Sequence, residues 1–221
     1  MGASRVILER HLLLPEVARI AARSPVGVEI FVHGSLCYSY SGKCFFSSFL
    51  GGKSANRGAC VQPCRRLYGH GGGPAEALFS TRDLSLLPRL PEIVPLGLAS
   101  LKIEGRMRGA EYVAGVVSAY RTALDAIREG RAEEGVAEGM RVLSGVIGRE
   151  STPGLTGGAA PSEVAAGGDT GNVGDPLGAV ARFEGGWAFV PGAAPVAPGD
   201  RLRVQFREDG SGRAFSAGGM R

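Results

Sequence analysis

The sequence has no apolar run long enough to cross a membrane, and its first five residues lack the apolar stretch of a secretory signal. It also lacks an H-E-x-x-H pair and a G-x-S-x-G turn, the patterns typical of zinc peptidases and serine hydrolases. The glycines at 71–73 are not preceded by a strand and followed by a helix, so they do not indicate a phosphate-binding loop. The lack of a membrane-spanning run favours a soluble protein without membrane contact. The lack of an export signal, together with the clustered thiols described next, favours the reducing cytoplasm.

Cysteine is scarce, but its positions are informative. The 221-residue chain contains four cysteines, all between residues 37 and 64, with the spacing C-x6-C-x15-C-x3-C. An apolar stretch at 26–32 precedes them, and glycine, serine and asparagine separate them. This pattern is typical of a ligand set that loops gather at the end of a strand. The four residues are Cys37, Cys44, Cys60 and Cys64.

Four explanations compete for these cysteines. Clustering by chance would leave them as small buried apolar residues, and two disulfides would need an oxidising compartment. Zinc prefers C-x2–4-C pairs, which only Cys60 and Cys64 form. An iron–sulfur cluster also takes four thiolates and tolerates less regular spacing, so we favour the cluster and keep zinc as the runner-up.

The composition fits one domain of ordinary size, or a domain with a small module. An apolar fraction of 44% is enough for a core, and a net charge of +4 permits an anionic partner without demanding one. Cations flank the cysteines and would help to keep the thiols deprotonated, or would form a solvated loop surface. They are Lys43, Lys53, Arg57, Arg65 and Arg66.

The first part of the chain predicts a βαβ unit. Residues 5–8 and 28–32 have the composition of buried strands, and residues 12–22 have apolar side chains at helical spacing. A strand, a helix and a strand within about thirty residues favour parallel pairing of the two strands.

The pattern of strand followed by helix then repeats. We predict strands at 77–80 and 100–103, a proline-interrupted helix at 84–96, and a long amphipathic helix at 110–129. Asp83 is expected to cap the helix that begins at Leu84. The alternation predicts an α/β fold, either layered or a barrel.

The composition changes after residue 144. Residues 145–174 are rich in glycine, alanine and small polar residues, which predicts a linker. Short apolar runs at 177–183, 186–190 and 200–206 predict a small β module at 175–221.

Two strands carry polar residues that would be unusual in a core. Glu29 and His33 are spaced to share one strand face, as are Lys102 and Glu104, while Arg106 follows the end of the second strand. Polar groups at strand ends inside a barrel are more often functional than structural, although Lys102 and Glu104 could simply form packed ion pairs. We therefore predict an active site containing His33, Lys102, Glu104 and Arg106.

Four motifs occur in order: EIFVHGSLC at 29–37, SGKC at 41–44, NRGACVQPCR at 56–65 and SLKIEGRM at 100–107. They resemble those of peptidase family U32, the collagenase-like peptidases. The resemblance implies a (β/α) barrel followed by a small β-barrel module. Four strand–helix units are too few to close an eight-stranded barrel of about 250 residues. We therefore expect residues 1–144 to be the C-terminal part of such a barrel, in a fragment whose Met1 is an internal start.

The resemblance also implies a function. Members of this family are implied to bind a 4Fe-4S cluster and to support hydroxylation of a pyrimidine in tRNA or rRNA. In that interpretation the four cysteines hold the cluster, and RNA is the partner. The residues expected to bind the substrate are Glu29, Arg57 and Arg65.

Two alternatives remain open at this point. The family name implies peptide hydrolysis, for which His33 and Cys37 are the only histidine and cysteine close together in the sequence. A non-catalytic scaffold that binds a cluster or zinc is the other possibility. The oligomeric state cannot be predicted from the sequence.

Overall fold

The structure is a computed structural model that describes residues 2–69, 71, 75–106, 108–166, 177–191, 195–206 and 212–218. It divides the chain into two compact units, Met1–Gly171 and Asn172–Arg221. None of the helices that it describes is both long and apolar enough to cross a membrane.

The first unit combines a small sheet with helices. Its strands are β1 (Arg5–Ile7), β2 (Gly27–Ser35), β3 (Asp83–Ser85), β4 (Ser100–Ile103) and β5 (Ser151–Thr152). Its α-helices are α1 (Leu14–Arg23), α2 (Phe46–Gly51), α3 (Leu90–Ile93), α4 (Ala110–Arg128), α5 (Ala132–Ser144) and α6 (Pro161–Val164). Four short 3-10 helices add to these: Ala55–Arg57, Pro63–Arg65, Leu87–Arg89 and Val94–Leu96.

The predicted βαβ unit is confirmed, but its first strand is exposed and not buried as predicted. β1 runs parallel to β2 with Val6 beside Val28, and α1 connects them. Pro15 lies in the first turn of α1, where its missing N–H costs no intrahelical hydrogen bond. The helix buries Val17 in the core.

β2 is the centre of the sheet. β4 pairs with one of its edges in parallel, while β1 and the antiparallel β3 share the opposite edge and β5 extends the sheet from β3. Among the described residues these five strands do not close on themselves. The predicted α/β class is confirmed, but the described sheet is mixed and not purely parallel.

The core lies between β2 and α4. Val28, Ile30 and Val32 alternate along β2 and are at most 3% exposed, as expected for a strand with one face against helices. Val116 and Ala119 of α4 complete this contact and are fully buried. The long helix predicted at 110–129 is therefore confirmed, because its apolar face packs on the sheet.

α5 was not predicted. Two glycines, at 135 and 139, interrupt its sequence and lower its helix propensity. Both are buried against α4, and a Cβ atom at Gly139 would lie 2.9 Å from the Ala119 carbonyl oxygen. The glycines therefore permit a close helix–helix approach, and this contact, not local propensity, supports α5.

The predictions around β3 are partly wrong. Within residues 77–80 the chain forms a turn and not a strand, and residues 83–85 form β3. The interrupted helix predicted at 84–96 is present from residue 87 to residue 96, as consecutive 3-10 and α-helical turns. Asp83 is consequently not a helix cap. The reason is tertiary, since backbone pairing of Asp83 with Ser35 and Ser151 on two different strands fixes this segment as extended.

The predicted linker at 145–174 is structured over the part that the structure describes. β5 pairs with β3, and Ala165 pairs with Thr81 just after α6. Residues up to 166 therefore belong to the first unit, and the remainder of the predicted linker lies outside the described residues.

The second unit contains short antiparallel strands, as predicted for a β module. β6 (Arg182–Glu184) pairs with β7 (Trp187–Phe189), and β8 (Arg201–Gln205) pairs with β9 (Gly212–Ser216). β9 was not predicted.

Candidate functional site: the cysteine loops

The cysteine loops, residues 36–67, begin directly after β2. Cys37 follows that strand and is exposed, whereas the other three cysteines are half-buried. Cys44 precedes α2, and Cys64 lies in the 3-10 helix Pro63–Arg65. The predicted placement of the cysteines on loops at a strand end is confirmed.

The Cys64 thiol lies within electrostatic range of the other three thiols. Burial raises the pKa of the Cys64 thiol, the Arg65 cation opposes this shift, and negative charge on Cys37, Cys60 or Cys44 would raise the pKa further. Among the described residues, no three or more His, Cys, Asp or Glu side chains are arranged to hold one metal ion. The four thiols are therefore not arranged around a single ion in the part of the chain that the structure describes.

The sulfur of Cys60 accepts two hydrogen bonds. The Ser47 hydroxyl of α2 donates at 3.6 Å and the backbone N–H of Gln62 donates at 3.3 Å. Gln62 adopts a left-handed conformation, with φ of 52°, which turns the loop there. Hydrogen bonds of this kind stabilise a thiolate and tune a cluster bound to it.

Arg65 holds two of the cysteine segments together. It is 9% exposed, and its guanidinium donates to the carbonyl of Leu36 at 2.8 Å, to the Ser80 hydroxyl at 3.1 Å and to the Thr81 carbonyl. Leu36 adjoins Cys37, so this one side chain connects the Cys37 and Cys64 segments. These contacts favour a positioning role for Arg65 over the predicted contact with substrate.

Arg106 has a similar role on the Cys60 loop. Its guanidinium donates to the carbonyls of Gly58 at 3.0 Å and Cys60 at 3.2 Å. Its backbone N–H donates to the Glu104 carboxylate at 3.0 Å, and Arg10 lies 3.4 Å from the same carboxylate. Two of the predicted site residues, Glu104 and Arg106, are thus brought beside the cysteine loops.

Gly34 allows the end of β4 to approach β2 this closely. Its φ of 103° suits only glycine, and a Cβ atom there would lie 2.9 Å from the Cβ of Glu104. The backbone N–H of Glu104 donates to the His33 carbonyl at 2.8 Å.

His33 does not share a face with Glu29 and Phe31, contrary to the prediction. The register of β2 against β4 shifts between Phe31 and His33, and this irregularity breaks the alternation of side chains. The His33 ring lies against Tyr120 of α4, with Nδ1 3.4 Å from its hydroxyl. Burial lowers the His33 pKa to about 4, so the ring is neutral near pH 7.

The remaining predicted site residues, Lys102, Glu29 and Arg57, have other surroundings. Lys102 pairs with Phe31, and its ammonium is 5.0 Å from the ring centre. The Glu29 carboxylate accepts from Ser100 and lies 3.5 Å from Arg5. Arg57 is exposed at the end of a 3-10 helix in the cysteine loops.

A buried ion-pair cluster around Asp83 was not predicted as part of the site. The carboxylate accepts from Arg108 and, at 3.2 Å, from Arg149, which also donates to Ser35 at 3.1 Å. Asp83 is 3% exposed. Asp83 was predicted only as a helix cap, because an ion pair between residues 66 positions apart depends on the fold.

The chain belongs to peptidase family U32, because the model of that family matches residues 1–165.

Three relatives illustrate its range. The chain is 39% identical over 137 residues to "tRNA hydroxylation protein P1" of Bacillus subtilis, covering 57% of the chain and 32% of that protein. It is 36% identical over 139 residues to "23S rRNA 5-hydroxycytidine C2501 synthase" of Escherichia coli, covering 60% of the chain and 21% of that protein. It is 40% identical over 116 residues to "Collagenase" of Porphyromonas gingivalis, covering 50% of the chain and 32% of that protein.

The chain thus spans about a third or less of the length of these curated relatives. No solved structure matches it significantly.

Proposed function

We propose that this protein supports the hydroxylation of a pyrimidine in tRNA or rRNA, and that Cys37, Cys44, Cys60 and Cys64 hold a 4Fe-4S cluster. Two relatives in the same family have names that specify hydroxylation of tRNA or formation of 5-hydroxycytidine in rRNA. The matched segments contain all four cysteines within residues 1–165.

The observation that carries the proposal is that all four cysteines lie on the loops that follow the carboxyl end of β2. Zinc is usually held by C-x2–4-C pairs, and only Cys60 and Cys64 form one. A 4Fe-4S cluster also takes four thiolates and tolerates less regular spacing. The spacing of the cysteines therefore favours a cluster over zinc.

The surrounding residues have definable roles in such a site. Arg65 and Arg106 fix the loops that carry Cys37, Cys60 and Cys64, while Ser47 and the Gln62 N–H donate to the Cys60 sulfur. A bound cluster supplies one-electron chemistry. The catalytic roles predicted for His33, Lys102, Glu104 and Arg106, and substrate binding by Glu29 and Arg57, belong to this proposal.

The fold is compatible with a section of a (β/α) barrel. β1, β2 and β4 are neighbouring parallel strands, and helix α1 connects the first two. In such a barrel the active site lies at the carboxyl ends of the strands, where β2 leads into Cys37 and β4 into Arg106.

The cluster is tested by purifying the full chain without oxygen and recording its visible absorption. Wild-type protein should show the broad band of an iron–sulfur cluster, and Cys60→Ala and Cys64→Ala should lose it, whereas Ser39→Ala should keep it. A colourless wild-type protein loaded with zinc would contradict the cluster.

The RNA reaction is tested by comparing modified nucleosides in total RNA from strains with and without the gene. One hydroxylated pyrimidine should be absent from the strain that lacks the gene. It should return when the wild-type gene is restored, and it should stay absent when the restored gene carries Cys60→Ala. An unchanged nucleoside profile would rule out this function.

Peptide hydrolysis is the second candidate, because one relative is named a collagenase. The structure gives it little chemical support at His33, whose lowered pKa disfavours the charged imidazole that a thiolate–imidazolium pair requires. Peptidase activity that survives replacement of all four cysteines would favour this candidate over the RNA reaction.

A further inference from the structure

Large aromatic side chains are exposed beside the cysteines. Phe49 is 85% exposed, Phe45 61% and Tyr38 54%. We refer to Tyr38, Phe45 and Phe49 as the aromatic surface. Single exposed apolar residues need no explanation, but three aromatic residues within twelve positions indicate a contact surface.

The aromatic surface rests on packed rings. Phe46, next to Phe45, stacks on Tyr68 with ring centres 5.9 Å apart and contacts Phe79 edge-on at 5.7 Å. Tyr38 contacts Phe79 edge-on at 5.3 Å. Phe45 and Phe49 are four positions apart at α2, so they lie on the same side of that helix. The ring of Tyr38 is therefore held by Phe79, and Phe46 anchors the start of the helix that carries Phe49.

The aromatic surface is also adjacent to the thiols. Tyr38 follows Cys37 and Phe45 follows Cys44 in the sequence. α2 is joined to the Cys60 segment by the hydrogen bond from Ser47, and Gly51 packs against Val61. A planar group that stacks on Phe45 or Phe49 would therefore lie close to the proposed cluster.

The charge around these rings is positive. There is no aspartate or glutamate between residues 30 and 75. Glu9 accepts from the Ser41 N–H and so adjoins the segment from outside it. Four exposed cations lie within the same stretch: Lys43, Lys53, Arg57 and Arg66.

We propose that the aromatic surface stacks the unpaired bases of an RNA loop while the neighbouring cations contact its phosphates. Flat aromatic rings between cations are the recurring surface for single-stranded nucleic acid, since every base offers a face for stacking and every nucleotide a phosphate. The inference rests on the proposed function and adds a requirement for unpaired bases next to the reacting one. Base-paired RNA would offer phosphates but no free face for stacking.

A protein is the competing partner for the aromatic surface. Substitutions that change the shape of the Phe49 side chain distinguish RNA binding from protein binding. Leucine keeps the apolar area of Phe49 but removes the flat ring, whereas tyrosine keeps the ring. A protein contact should tolerate Phe49→Leu, and base stacking should tolerate only Phe49→Tyr.

The test measures binding of the full chain to an RNA stem-loop with 2-aminopurine in its loop, using fluorescence, and to the matching duplex. Wild type and Phe49→Tyr should bind the stem-loop with similar Kd and change its fluorescence. Phe49→Leu and Phe49→Ala should bind about 10- to 100-fold more weakly, as expected for loss of one stacked base. Phe183→Ala, which removes a 73% exposed ring from β6, should bind like wild type.

Three results would overturn the inference: equal binding by Phe49→Ala and wild type, full binding by Phe49→Leu, or equal affinity of wild type for stem-loop and duplex. A Phe49→Ala variant that loses self-association without losing RNA binding would identify the surface as a contact between copies of the chain. The hydroxylation proposal fails separately, through an unchanged nucleoside profile, whatever the binding results are.

Discussion

At the scale of single residues, the cysteine loops are organised by two arginines, the buried Arg65 and the exposed Arg106. Arg65 reaches the Leu36 carbonyl beside Cys37 and the Thr81 carbonyl next to β3, while Arg106 reaches the Cys60 carbonyl. Burial lowers the pKa of Arg65, because few water molecules reach its charge. Hydrogen bonds to backbone carbonyls offset that cost and fix the geometry of the loops.

Removing the Arg65 guanidinium should destabilise the protein. In Arg65→Ala the carbonyls of Leu36 and Thr81 lose this donor, and a buried unpaired group costs about 1–3 kcal/mol. Urea unfolding should show a lower midpoint for this variant. Arg66→Ala, at an exposed neighbouring site, should lie within about 0.5 kcal/mol of wild type. Equal losses in the two variants would contradict the role of Arg65.

The buried imidazole of His33 should make stability depend on pH. Its pKa falls from 6.5 in the unfolded chain to about 4 in the folded protein, mainly because of burial. Between these values the unfolded state binds more protons, so stability is lost as the pH falls through this window. The full difference is about 3 kcal/mol.

Urea unfolding at several pH values between 4 and 7 measures this effect. His33→Gln should lose less stability than wild type over the same range, because glutamine does not titrate. Parallel pH profiles of the two proteins would show that His33 does not titrate in this way.

At the scale of elements, the contact between α4 and α5 shows how tertiary packing can create a helix. Gly135 and Gly139 are poor helix formers, yet both are buried where the two helices meet. A side chain at either position would have to displace atoms of α4, including the Ala126 side chain opposite Gly135.

Gly135→Ala should therefore destabilise the protein, although alanine favours helix in isolation. Overpacking costs about 1–3 kcal/mol, which exceeds the gain in propensity of about 1 kcal/mol over most of that range. Thermal unfolding should show a lower Tm. The control is Gly109→Ala, where an added methyl group meets nothing within 4 Å. A Tm for Gly135→Ala at or above that of wild type would disprove the close contact.

β2, α1 and α4 were predictable because apolar residues recur along each of them at regular spacing. β3 was not predictable, because the segment is extended only through its pairing with β2 and β5. The register shift between Phe31 and His33 could not be predicted from the sequence either, because it arises from the pairing of β4 with β2.

At the scale of the whole molecule, charge is distributed unevenly. The net charge is only +4, yet residues 30–75 contain lysine and arginine and no carboxylate. A surface of this kind should attract an anionic polymer more strongly than the net charge suggests.

RNA binding should accordingly weaken as salt rises. A plot of log K against log salt concentration should have a negative slope, and Lys53→Gln should make it shallower by about 0.7–0.9 if that lysine contacts one phosphate. The control is Arg141→Gln on α5, whose partner is Glu138, and it should leave the slope unchanged. An identical slope for Lys53→Gln and wild type would exclude Lys53 from the contact.

The sequence by itself determined the α/β class, the membership of the family and the position of the cysteines after β2, because these depend on local patterns and short motifs. Tertiary structure alone decided that His33 turns toward Tyr120, that Arg65 ties two cysteine segments together, and that Asp83 pairs with two arginines. The physical reason is that burial, strand register and long-range ion pairs depend on residues that are distant in sequence and meet only when the chain folds.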